Sequence, residues 1–374
     1  MNTLRRCALM LALIIIIVGT AHAAAGPFKA HRTENIIFVM TDGLRWQEVF
    51  NGADESLFKK AEEGKKDLDP ARIAYWRDSQ QARREALMPF LWKVMAKDGQ
   101  LFGNQDKGSV AQVTNGFNFS YPGYSEVFCG FGDPAVNSNN MVYNPNINVL
   151  EYLNNMNRYH NKVAAFGAWD LFPYILNTRR SGLWVNAGYE PMKFGKPTPE
   201  YALLDRLKQE TIHYWAGEIF DSLTLETARV YLQKEKPRVL YVSLGETDEW
   251  AHEGRYDKYL ESAHRADAAV RTLWDAAQSI HRYRGKTTVI FCPDHGRGNA
   301  PEEWKSHGEK IDASKNIWMA FMGPDTAPLG ERTQTDRVTE SQVAATLAAF
   351  LGEDFCTAVP KAGKPITAVL AGGK

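Results

Sequence analysis

The sequence predicts an α/β fold: a mostly parallel central sheet with helices on both faces, carrying cap or insertion segments. Three observations predict it. Four short apolar runs, 35–40, 162–169, 238–244 and 287–292, have the profile of strands buried on both faces. Helical periodicity alternates with them over 84–96, 149–158, 218–233 and 256–281, and again over 340–351 near the end. Each strand-like run also stops at acidic or histidine residues, namely Asp42, Asp170, Glu246 with Asp248, and Asp294 with His295. In a parallel sheet wound with helices, loops at the carboxyl ends of the strands are where ligands sit.

Taken in order, the chain opens with Arg5 and Arg6, an apolar run over 8–18 and the small-x-small triplet Ala21-His22-Ala23. This is the pattern of a secretory signal over residues 1–23, so the protein is expected to be exported, to a periplasm or to the outside. The apolar run is shorter than the ~20 residues that span a bilayer, so no stable membrane anchor is expected after cleavage. Residues 24–374 then form one domain with insertions around 53–83, which is rich in charge, and 176–216, which is rich in Gly, Pro and aromatics.

Lys plus Arg equals Asp plus Glu at 44 each, which argues against a nucleic-acid-binding surface and leaves specificity to a local site. Oligomeric state is not legible. With Cys7 in the signal, Cys129, Cys292 and Cys356 form no metal-finger or redox spacing and read as small buried residues.

Chemistry concentrates in four places: Asp42, the segment Asp248-x-x-x-His252, the pair Asp294-His295, and His307. Carboxylates mixed with imidazoles are the donor set of a divalent metal that activates a nucleophile. If the loop after 238–244 turns helical, Asp248 and His252 project from one face. Ser120 precedes Pro122, which suits the first turn of a helix, so its hydroxyl lies where an anion is favoured. The same position suits an ordinary N-cap, and Thr114 and Ser125 are competing hydroxyls.

This succession of motifs, from Asp42 through Ser120, DxxxH and DHG to His307, resembles the alkaline phosphatase superfamily over roughly residues 35–310. Its nucleotide pyrophosphatase/phosphodiesterase-type branch is the most similar. The resemblance implies an alkaline-phosphatase-like fold and a hydrolase of phosphoric esters acting on a small phosphate-ester substrate. It implies two divalent ions, zinc first and manganese second, one held by Asp248, His252 and His307 and the other by Asp42, Ser120, Asp294 and His295. Ser120 would attack phosphorus in line and form a phosphoseryl intermediate. Asn140, with Asn139 beside it, falls where that branch binds a substrate oxygen.

Sulfatases of the superfamily need an Arg four residues after the modified Cys or Ser, and here that residue is Tyr124. Arg45, Lys162, Arg179 and Arg180 are the basic candidates for a phosphoryl contact. Trp46, Trp169, Phe172, Tyr174 and Trp184 are the aromatic ones for a base or a glycan, with core packing the competing role. The alternatives are a metal-dependent phosphomutase, a sulfatase-like hydrolase, or a non-catalytic exported binder on the same scaffold.

Overall fold

The computed structural model describes residues 32–58 and 69–370. The expected signal segment, Cys7 and the centre of the first insertion lie outside them. Among the described residues eleven strands form two sheets. They are β1 Asn35–Thr41, β2 Gly99–Phe102, β3 Ala111–Gln112, β4 Val163–Gly167, β5 Trp184–Ala187, β6 Val239–Leu244, β7 Thr287–Cys292, β8 Asn316–Ile317, β9 Met319–Met322, β10 Gly330–Glu331 and β11 Val338–Thr339.

The large sheet runs β10-β2-β9-β7-β1-β6-β4-β5, and β3, β8 and β11 make a small separate one. Pairing is parallel from β7 across to β5, and β9 lies antiparallel to both β7 and β2. The four predicted strands are thus its contiguous centre, every residue of them buried. Two hydrophobic clusters, one on each face, account for the near-continuous apolar runs.

Helix boundaries differ from the periodicity in instructive ways. The pattern over 84–96 is broken in two: a helix Gln80–Leu87 stops ahead of Pro89, and a π-helical turn Leu91–Met95 follows. Proline disfavours helical backbone at the residue before it and lacks the N–H that would continue the ladder. The 149–158 pattern is helical only over Val149–Asn154, and the last one splits into a 3₁₀ turn Glu340–Gln342 and a helix Val343–Phe350. The 176–216 stretch, which has no clear periodicity, carries regular structure. It contributes β5, the edge strand, and a helix Pro199–Glu210.

That helix is pinned by Lys208, whose buried ammonium donates to Asn186 Oδ1 at 2.6 Å and to the Glu190 carbonyl at 3.1 Å. Burial pushes its pKa down to about 8. Cys129 and Cys292 are buried thiols and Cys356 is partly exposed, with no disulfide among the described residues. None of the described helices is long and apolar enough to cross a membrane.

One buried contact ties the long helix Tyr256–Ser279 to the turn after Pro89. The Asp267 carboxylate accepts from the Phe90 and Leu91 amides, both at 2.7 Å. Asp267→Ala leaves two buried N–H groups without acceptors and should lower stability by about 2–4 kcal/mol. Denaturant midpoints at constant m-value would show it, and an unchanged midpoint would refute the anchoring role.

Candidate metal centre

The strand order explains how distant residues meet. β1 lies between β6 and β7, and neighbouring strands sit ~4.8 Å apart. Residues that leave the carboxyl ends of these three therefore emerge side by side. Asp42 follows β1, Asp294 and His295 follow β7, and Asp248 and His252 lie on the helix Glu246–His252 after β6. The Asp294 Oδ2 to His295 Nε2 distance is 3.6 Å, and from the same Nε2 it is 3.1 Å to Asp42 Oδ1 and 3.9 Å to Asp248 Oδ1.

Two overlapping donor groups result, Asp42 with Asp294 and His295, and Asp248 with His295 and His307. In each, one atom per residue lies within 4.8 Å of the others. His252 completes the second, its Nε2 3.1 Å from Asp248 Oδ2 and 3.0 Å from His307 Nε2. The structure therefore brings together all six predicted acid and imidazole ligands, with His295 shared.

The donors are oriented as ligands. Asp42 gives one oxygen to the Tyr124 hydroxyl at 3.0 Å, and Asp294 gives one to the Gly43 amide at 3.1 Å. Their other oxygens, Asp42 Oδ1 and Asp294 Oδ2, are buried and have no hydrogen-bond partner. Leaving carboxylate oxygens buried and unpaired is costly, and a bound cation would offset it. His295 Nδ1 lies 2.8 Å from the Gly296 carbonyl and His307 Nδ1 3.2 Å from that of Asn118. A proton on Nδ1 donates to each carbonyl, which leaves the Nε2 lone pairs facing the cluster.

Electrostatics agree. Burial, reinforced by neighbouring carboxylates, raises the Asp42 and Asp294 carboxyls well above the usual range. Burial pushes His295 down to about 4 and His307 down as well, which favours the neutral imidazole, the form that binds metal. Burial opposes ionisation of Asp248 too, but the Arg297 guanidinium, helped by His252, outweighs it and holds its carboxyl well below the usual range.

Ser120 is the first residue of the helix Ser120–Cys129, whose cap position is Phe119. Its hydroxyl is therefore free of the N-cap role and lies 3.4 Å from His295 Nε2, while the competing Ser125 is buried within the helix and accepts from Asn144 Nδ2. Thr114 donates to Glu126. Gly123 lets this helix run against the Asp294 loop, since a Cβ there would meet the Asp294 carbonyl oxygen at 2.3 Å. At the helix start the Tyr121 amide donates to Asn139 Oδ1 at 3.0 Å. Pro122 has no N–H, so of the first three residues only Ser120 has an amide without a hydrogen bond among the described residues. It is Asn139, rather than Asn140, whose side chain touches this turn.

The basic candidates lie elsewhere. Arg45 is buried against Glu48, Arg180 pairs with Glu151, Lys162 donates to the Arg158 carbonyl, and Arg179 covers the Tyr143 ring at 4.4 Å. The arginine at the site is Arg297, two residues past His295. It donates to Asp248 and to the Lys305 carbonyl, and its Nη2 lies 3.3 Å from His252 Nδ1. Its place directly after Asp-His-Gly was the available signal.

Neither a family model nor a curated protein matches the sequence. Solved structures do. The alkaline phosphatase PafA superposes with a TM-score of 0.60 at 11% identity, covering 92% of this chain and 100% of that one. A putative sulfatase from Bacteroides thetaiotaomicron VPI-5482 gives 0.56 at 15% identity, covering 91% and 75%. The lipoteichoic acid synthase LtaP from Listeria monocytogenes gives 0.52 at 14% identity, covering 86% and 72%. The chain shares the fold of these structures, the alkaline phosphatase PafA among them.

Proposed function

We propose that, on this superfamily fold, the chain is an exported phosphoric-ester hydrolase that works with two divalent ions, zinc first and manganese second, and with Ser120 as nucleophile. One observation carries the reading: Ser120 Oγ lies 3.4 Å from His295 Nε2, the donor common to both ligand groups. Asp42, Ser120, Asp294 and His295 would hold one ion and Asp248, His252 and His307 the other. Such ions lower the pKa of a bound hydroxyl and neutralise phosphoryl charge.

The chain's own residues then have defined tasks. The Ser120 oxygen forms a bond to phosphorus as the bond to the leaving alkoxide breaks in line, and the alkoxide takes up a proton. Water next cleaves the phosphoseryl ester. It restores the serine hydroxyl and releases phosphate, or a monoester where the substrate is a diester. The Ser120 amide at the helix start and the Asn139 side-chain nitrogen are the groups we assign to the phosphoryl oxygens, with Asn140 the alternative. Arg297 keeps Asp248 ionised and in place.

A sulfatase of the formylglycine type is disfavoured by a specific contact: Tyr124, at the position where that frame needs Arg, is buried with its hydroxyl shared between Asp42 and Ser243. An aryl monoester, an aryl diester and a phosphonate ester, assayed with zinc and with manganese, test the proposal. Release of aryl alcohol from at least one is expected, and release from none would refute it. Appearance of an isomeric phosphate ester without free phosphate would favour the mutase alternative.

A further inference from the structure

A cavity of about 910 Å³ opens where β4 and β5 end, within the size of small-molecule sites. Two independent contacts tie its walls to the helices that carry Ser120 and Asp248. On one wall Tyr174 and the loop from Met141 to Tyr143 lie against the nucleophile helix, because the Tyr121 hydroxyl donates to the carbonyls of Val142 at 2.6 Å and Tyr174 at 3.2 Å. On the other, the Asp170 amide donates to the Gly217 carbonyl at 2.8 Å. The next residue, Glu218, is buried and covers Gly245 so closely that a Cβ there would overlap its carboxylate. Gly245 heads the helix that carries Asp248.

The lining has a definite chemistry. Tyr143, Tyr174, Trp184 and Phe194 supply aromatic surface, and Asp170 supplies a carboxylate that accepts no hydrogen bond and pairs with no cation among the described residues. The lining also holds a lysine already paired with a second carboxylate, and a guanidinium lies close by. Lys193 pairs with Glu190 at 2.9 Å, and the Arg179 guanidinium lies over Tyr143. Aromatic faces next to a carboxylate suit two ligands, an ammonium or a hydroxylated ring. A hydroxylated ring fits better, because Asp170 and Glu190 as acceptors and Lys193 as donor form a mixed set that several hydroxyls can use and an ammonium, a donor only, cannot.

We propose that this cavity is the leaving-group subsite and takes the hydroxylated ring of a sugar phosphate, with Asp170 accepting from ring hydroxyls. The proposal rests on the hydrolase reading above. The test compares kcat/KM of the metal-loaded protein and of Asp170→Ala on glucose 1-phosphate, phosphocholine and 4-nitrophenyl phosphate. Asp170→Ala should lower the ratio of glucose 1-phosphate to 4-nitrophenyl phosphate by about ten- to a hundredfold, the worth of a hydrogen bond to a charged group. Asp170→Asn, a smaller change, should give a partial fall.

An unchanged ratio, or a wild-type preference for phosphocholine over glucose 1-phosphate, would overturn the subsite. Should the wild type hydrolyse none of the three, the hydrolase reading fails instead. Calorimetric titration with glucose 1-phosphate then decides the subsite: binding that Asp170→Ala abolishes upholds it, and absent or unaltered binding overturns it.

Discussion

Ser120→Ala is expected to lower aryl phosphate hydrolysis by roughly three to six orders of magnitude, the range seen when a covalent nucleophile is deleted. The argument is geometric. The serine hydroxyl is not spent on capping, since the cap position is Phe119, and its neighbour is His295 Nε2. The helix is held by other groups: Asn139 on the Tyr121 amide, the close approach of Gly123 to Asp294, and burial along its whole length. The variant should therefore fold and keep its metal. Metal content by atomic absorption together with steady-state rates checks this, and a variant with metal and near-full activity would remove Ser120 from the mechanism.

The second large effect concerns the ions. Exhaustive chelation should abolish turnover, and added zinc or manganese should restore it, with two ions bound per chain. A drop in thermal stability should accompany the loss, because Asp42 and Asp294 then face each other buried, each with an oxygen that lacks a partner. Burial raises both carboxyls well above the usual range, so without the cations they take up protons, and the stability lost is that of binding an ion to the folded state alone. Unaltered rates in chelator would exclude the two-ion reading, and an unaltered melting midpoint would show that the cluster relaxes without its cations.

The site was legible because its chemistry lies in the residues themselves. Acids and histidines that end apolar runs state both the strand and its functional end, so Asp42, Asp248, Asp294 and His295 could be named from the chain alone. His307, a short loop past Asp-His-Gly, and Ser120, ahead of Pro122, were also singled out from the chain, but with no strand to announce them their roles came from the superfamily resemblance. The four long strands were read correctly, being buried on both faces. β2, β5 and β9, at four residues each, are too short for a period to emerge.

What sequence determined by itself is the donor set and the central sheet, since residue type fixes ligand chemistry and apolar runs fix buried strands. Tertiary structure alone decided which side chains have other work. It took Arg45 and Arg180 out of the site by pairing them with Glu48 and Glu151, and put Arg297 in. It released Ser120 from capping, gave Asn139 the helix start, and set Asp170 and its aromatic neighbours around a cavity. The physical reason is that a polar group's role depends on which partners reach it, and such partners, Arg297 with Asp248 or Ser120 with His295, lie far apart in the chain and meet only after the sheet has assembled.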